Sequence, residues 1–372
     1  MDTLLRFSSH SSRTASIFAL LLAATLVLAG CDLGVSSDDD TPTVRTSDVA
    51  VANAGAFGGQ NSSFTFIDPD AETASTSGTF ASYIQSHALL NDRFLAAFGE
   101  TNTIGIFDLE TRERSGQITG IPNPRYIISD GQIAYVTSQD FTGENTPAVY
   151  EVNLEEREVT DVIELDDNPE GLAGTASRLY VATGGVDGQI VEIDRSDENS
   201  VVGTIDPECD APRRTFMTDQ QLLVVACSGA TIYDDNFEVV ERTDGALRII
   251  DPVDQSIVDR EELSGQLTSA SAQQRVFHTR AGSTLFAVLE ENTIVQYNTR
   301  NGELSDFTVD GPPVGAIAFD VVNDRLYLGR PDPDSPFGAA GTVTVHEPGG
   351  EAVQTYDAGI APGHIALRIT RE

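Results

Sequence analysis

One short phrase returns along this chain, and its period constrains the fold more than any other feature. It reads Asp48-Val-Ala-Val-Ala, Arg93-Phe-Leu-Ala-Ala, Ile133-Ala-Tyr-Val-Thr, Arg178-Leu-Tyr-Val-Ala, Gln221-Leu-Leu-Val-Val, Thr284-Leu-Phe-Ala-Val and Arg325-Leu-Tyr-Leu-Gly. The spacing is roughly 40 to 45 residues with one long unit, which lies in the range of propeller repeats. A second apolar strand ending in a polar residue follows each copy: Phe66-Ile67-Asp68, Ile106-Phe107-Asp108, Val152-Asn153, Ile193-Asp194, Ile250-Asp251, Tyr297-Asn298 and Val345-His346. Asp and Asn side chains accept bonds from backbone N–H groups two residues on, so these terminators are expected to close strand-to-turn corners, His346 included.

Each unit then offers a third strand, such as Ser200-Val-Val-Gly-Thr-Ile205. A proline-marked connection leads to a fourth, at Pro124, Pro169, Pro212, Pro313 and Pro362. Four short strands repeated radially make a β-propeller, which leaves only short edges exposed. The chain enters on the second strand of a unit, at Asp48, and ends on a first strand, Gly363-His-Ile-Ala-Leu-Arg-Ile369. The expected fold is therefore all-β: a seven-bladed β-propeller with four-stranded blades, its ring closed by the C-terminal strand joining the N-terminal blade.

The run Arg178-Leu-Tyr-Val-Ala, Ile193-Asp194, Val201-Val-Gly-Thr-Ile205 and Pro212 resembles the YVTN-type β-propeller repeat. The resemblance covers most of residues 48–372 and implies a fold rather than an activity, since propellers host hydrolases, lyases and plain binding platforms. Residues 64–68 belong to a weak first blade, and the unit after Leu223 carries an insertion at 232–245.

Ahead of the repeats, Arg6 and Arg13 precede an apolar run at 17–30 that ends in Leu28-Ala29-Gly30-Cys31. This is the layout of a signal peptide, and the run is shorter than the ~20 residues a membrane-spanning helix needs. Leu-Ala-Gly-Cys resembles the lipobox of bacterial lipoproteins, which implies cleavage before Cys31 and acylation of that residue. The expected organisation is a signal peptide at 1–30, a flexible acidic tether at 31–47 and the propeller at 48–372, with the membrane as a partner through the N-terminal lipid. Ser37-Asp38-Asp39-Asp40 is similar to the Ser-acidic signals that send lipoproteins to the outer surface. The expected location is thus the cell envelope, at the outer membrane or cell surface rather than the inner membrane.

Charge excludes one class of partner. The formal net charge is −36, and all 22 basic residues are arginine. Such a surface repels nucleic acid, so no DNA or RNA partner is expected. Acidic, lysine-free composition resembles that of halophile proteins, whose self-repulsion is screened where the Debye length falls to about 3 Å at 1 M salt. Intrinsic disorder does not fit a chain that is 40% hydrophobic in ordered patterns.

In a four-stranded blade, the loops from second to third strand and the connections between blades emerge on one face. The long loops at 54–63, 139–146, 184–188, 233–244 and 331–341 carry Phe57, Phe141, Tyr233, Phe237 and Phe337. Long loops with aromatic residues suggest contact with a ligand or partner, the alternative being rings tucked onto the blade beneath. The inter-blade connections bring Arg125, Glu170, Arg213, Arg214 and His364 toward the same mouth. Three guanidiniums there suit a carboxylate or phosphate, unless they pair with acids such as Asp166, Asp167 and Asp210. Cys209 and Cys227 flank a predicted hairpin whose pairing brings them together as a disulfide candidate.

No catalytic motif or paired metal-ligand spacing is present. Asp332-Pro-Asp334 and Asp206-Pro-Glu208 have the oxygen chemistry of a Ca²⁺ site, which acidic composition also produces by chance. The expected function is a lipid-anchored module that binds a small ligand or an envelope protein, such as a transporter, on its loop face. Surface lipoprotein propellers similar to this one hand corrinoids to outer-membrane transporters. The alternatives are a metal-dependent, lactonase-like hydrolase or lyase, and a structural envelope protein.

Overall fold

The computed structural model describes residues 43–90, 92–267, 274–279 and 282–371. Cys31, the signal segment and most of the expected tether lie outside the described residues. Seven four-stranded antiparallel sheets follow one another along the chain. Blade 1 comprises, from outside to inside, Thr73–Thr76, Ser63–Asp68, Val44–Asn53 and Pro362–Arg371. Blades 2 to 7 span 84–119, 124–164, 169–205, 212–262, 276–308 and 316–360. The C-terminal strand thus supplies the inner strand of the N-terminal blade. Pairing runs from Val44 opposite Arg371 to Asn53 opposite Pro362. The first strand begins at Val44, inside the expected tether, because the C-terminal strand continues to Arg371 and offers its backbone as partner.

The second strand of each unit reads as a nearly continuous apolar run because both faces of a blade are buried against neighbours. In blade 1, Val49 and Val51 point into a cluster shared with Ala316, Tyr327 and Val343 of blade 7. Ala50 and Ala52, one residue out of phase, join Phe94 and Phe98 of blade 2. Five further wedges of this kind lie between blades 2/3, 3/4, 4/5, 5/6 and 6/7. The core is therefore a ring of seven wedges, and the wedge between blades 7 and 1 closes it. Outer strands such as Glu303–Thr308 are almost entirely exposed, so their sequence is free to be acidic.

The polar terminators act as turn closers in six units. Asp68, Asp108, Asn153, Asp194, Asp251 and Asn298 each accept backbone N–H groups two or three residues ahead. His346 meets its turn differently: its ring is buried, with Nδ1 on the Gly350 carbonyl of that turn and Nε2 on Thr344 Oγ1 of its own strand. The insertion in blade 5 forms a separate hairpin, Thr231–Tyr233 paired with Val239–Arg242.

Candidate functional site

The inner strands of blades 3, 4, 5 and 1 begin with a proline, at Pro124, Pro169, Pro212 and Pro362. The first residue of a strand is where a missing N–H does least harm. In these four blades and in blade 2, one extra residue then enters the inner strand, a bulge that bends it and re-aims the side chains there. The bulged positions carry Gln85, Arg125 and Tyr126, Glu170 and Gly171, Arg213, and Gly363. A feature repeated for geometry thus delivers polar side chains from successive blades to one end of the central channel.

Three of them interlock. Glu170 is only 3% exposed and accepts from Arg125 Nε at 3.1 Å through Oε2, and from an Arg213 terminal nitrogen through Oε1. Burial works against the Arg125 charge, but the Glu170 carboxylate more than offsets it and holds the guanidinium pKa above its ordinary value. The acid that pairs these arginines is Glu170, on the inner strand between them, and not Asp166, Asp167 or Asp210. Asp210 instead accepts from Thr243 Oγ1 at 2.6 Å.

Arg214 follows a different course. Its guanidinium lies 4.6 Å from the ring centre of Tyr126, two blades away. It crosses the inner strand of blade 4 at Gly171, where an added Cβ would sit 2.9 Å from the Arg214 Cα and 2.7 Å from the Arg213 carbonyl oxygen. Only glycine permits that approach. Arg214 is half-buried and, among the described residues, has no acid in ion-pair range.

His364 is buried beside a residue that sequence reasoning passed over, His87, their ring centres 4.6 Å apart. His364 Nδ1 and both His87 ring nitrogens lack hydrogen-bond partners. Burial lowers the His87 pKa to about 4 and that of His278, stacked on Phe216, also to about 4. His364 is pushed well below its ordinary value by burial, with His87 and Arg214 adding to the shift. All three rings are neutral at pH 7.

Beside these residues the loop face opens into a cavity of about 990 Å³. Blades 1, 2 and 3 supply most of its wall, with Phe337 reaching in from blade 7. Phe57, Phe141 and Phe337 line it while remaining 83%, 72% and 46% exposed, so these rings are not tucked onto the blades. Tyr83, edge-on to Phe57 at 6.1 Å, completes the apolar wall. Arg125, Gln85 and Gln139 form polar parts of the lining. Gln139 donates to the Pro169 carbonyl, and its own side-chain oxygen is buried without a partner.

Of the three acids in the lining, Glu100 and Asp140 are committed to the loops and Glu144 is exposed. Glu100 accepts from the Gly58 and Tyr83 backbone, and Asp140 from Thr142 and Asn145, bonds that hold the Asp140 carboxyl below its usual pKa. Tyr233, expected at the mouth, stands on the inserted hairpin and does not line this cavity, because the insertion folds on itself. Cys209 and Cys227 form a disulfide with Cα atoms 6.1 Å apart, tying the connection into blade 5 to the end of its second strand. Gln85, Gln139 and Tyr126 were absent from the expected site, and the only trace of two of them was their place just after the start of an inner strand.

Among the described residues, no three His, Cys, Asp or Glu side chains come together as metal ligands. Asp332 accepts from the Asp334 and Ser335 backbone and Asp206 from the Glu208 backbone, each through Oδ1 alone.

Fold and mouth together define a seven-bladed β-propeller with a ligand-sized opening on its loop face. Solved structures agree on the fold. A chain of Kuenenia stuttgartiensis hydrazine synthase superposes with TM-score 0.60 at 15% identity, covering 80% of this chain and 97% of that one. A chain of a mitotic checkpoint complex gives 0.58 at 13%, covering 85% and 96%. The β-propeller domain of Cps50 (Swd1) from Myceliophteria thermophila gives 0.56 at 15%, covering 73% and 86%. No family model and no curated protein matches the chain.

Proposed function

We propose that this chain is a lipid-anchored envelope module of YVTN type that captures a small ligand at the propeller mouth and presents it to an envelope partner such as a transporter. The observation that carries the reading is the cavity of about 990 Å³ whose wall includes three solvent-facing phenylalanines. Ligand pockets run to roughly 300–1,000 Å³ and combine an apolar lining with a few polar groups, as here with Arg125, Gln85 and Gln139. Covering such rings favours binding, since full burial of a phenylalanine contributes about 1.5–3 kcal/mol.

The test uses the full chain and the neutral fluorophore N-phenyl-1-naphthylamine. Saturable binding is expected, weakened about tenfold or more by Phe141→Ala combined with Phe337→Ala, with stability unchanged within about 0.5 kcal/mol. Absence of saturable binding overturns the capture reading. The anchor is tested separately by mass spectrometry of the N-terminal peptide, where an acylated Cys31 is expected and an unmodified one sinks that half of the proposal.

A further inference from the structure

Capture of some ligand leaves its chemistry open, and the three arginines at the mouth differ in what they have left to offer. Arg125 and Arg213 share the single carboxylate of Glu170, so that trio keeps one net positive charge and each of the two guanidiniums meets an acid. Arg214 does not. Its side chain crosses the blade 4 inner strand over Gly171, rests against the Tyr126 ring and meets no carboxylate among the described residues. The same Tyr126 ring lies 5.8 Å from the Arg125 guanidinium, which lines the cavity. Arg214 is therefore one aromatic ring away from the cavity wall.

Its neighbours do not compete for it. His364 and His278 are both within reach of its charge and are neutral, and His364 Nδ1 is buried with nothing bonded to it. Arg330 is buried without an acid too, but its guanidinium is satisfied by Thr344 and by the Pro312 and Asp310 carbonyls. Arg214 has neither an ion pair nor a side-chain hydrogen bond among the described residues, in a chain of net charge −36.

We propose that Arg214 recognises an anionic group, a carboxylate, sulfonate or phosphate ester, on a ligand whose apolar body lies against Phe57, Phe141 and Phe337. The planar guanidinium fork matches such oxygens in bidentate fashion, and Gly171 is the backbone feature that lets it reach the channel. This rests on the capture reading and gives that site its ligand class: an amphipathic anion, not a neutral or cationic compound.

Two probes with one skeleton separate this inference from the reading beneath it. N-phenyl-1-naphthylamine is neutral, and 8-anilinonaphthalene-1-sulfonate carries a sulfonate on the same rings. The overall charge of the protein opposes the anion, so without a dedicated site the sulfonate binds more weakly. At fixed ionic strength the full chain is expected to bind the sulfonate about tenfold more tightly than the neutral probe, the scale of one charge-assisted hydrogen bond. Arg214→Gln should remove that preference and leave neutral-probe affinity unchanged, which also reports that the variant is folded. Inorganic phosphate should displace the sulfonate but not the neutral probe. If the neutral probe binds and the sulfonate is no tighter, or if the preference survives Arg214→Gln, the inference is overturned while capture stands. If neither probe binds, both fall.

Discussion

The two ends of the ring obey opposite rules. At the end formed by the turns between third and fourth strands, Asp or Asn side chains saturate the backbone of their own corners in six of seven blades. At the mouth, bulged inner strands gather charges from three blades, leave Arg214 without an acid, and bury polar atoms of Gln139, His87 and His364 without partners. The first end is closed by local chemistry within a few residues of sequence. The second depends on groups contributed by separate blades. Buried polar atoms without partners occur away from the mouth as well, on Asn199, Arg248 and Thr370, so what sets the mouth apart is charge gathered from separate blades beside an open cavity.

The largest expected effect that would break this contrast is Glu170→Gln. If the mouth is held by long-range charge pairing, removing this carboxylate strands two guanidiniums and should cost about 3–5 kcal/mol in urea unfolding. A loss no larger than that of a surface substitution would mean the pairing is incidental.

Next comes pH. The folded-state pKa of His87 and of His278 is lowered to about 4 from an ordinary 6.5, so between those values the unfolded chain binds protons that the folded chain refuses. Stability is then unaffected by these rings above pH 6.5, falls as pH drops from 6.5 to 4, and levels off below. Each ring accounts for on the order of 3 kcal/mol across that window. Urea midpoints at pH 7.5, 5.5 and 4.5 should show a shallower decline in His87→Leu than in the parent chain, and parallel declines would refute the assignment.

The smallest effect sharpens the other side of the comparison. Asn153→Ala removes two turn-closing bonds, to the Glu155 and Glu156 backbone at 3.0 Å each. It should cost about 1 kcal/mol and leave probe binding untouched. An effect on binding would show that the two ends are coupled.

Much of the architecture was legible in the chain because propeller blades are local objects. The second strands read as continuous apolar runs since each is buried on both faces, and the Asp or Asn terminators act within two or three residues of themselves. His346 departs from that pattern because its ring nitrogens meet the Gly350 carbonyl and the Thr344 hydroxyl of its own strand instead of the backbone N–H groups two or three residues ahead. The mouth was legible only as a face. Loop length puts Phe141, Phe337 and Tyr233 on that face alike, but only the first two line the cavity, since Tyr233 stands on a hairpin formed by the insertion in blade 5.

By itself the sequence determined the number of blades, the strand order within them, the terminal strand that completes the first blade, and which end carries the long loops. Each of these follows from periods of two residues within strands and about forty between blades, and such periods are written along the chain. Only the tertiary structure decided which of the three mouth arginines meets no acid among the described residues. Arg125 and Arg213 meet Glu170 across 45 and 43 residues, and Arg214 reaches Tyr126 over Gly171, because bulges in separate inner strands converge on one channel. A net charge of −36 gives no hint of that. Electrostatic pairing depends on distances between blades, and the one-dimensional order does not contain them.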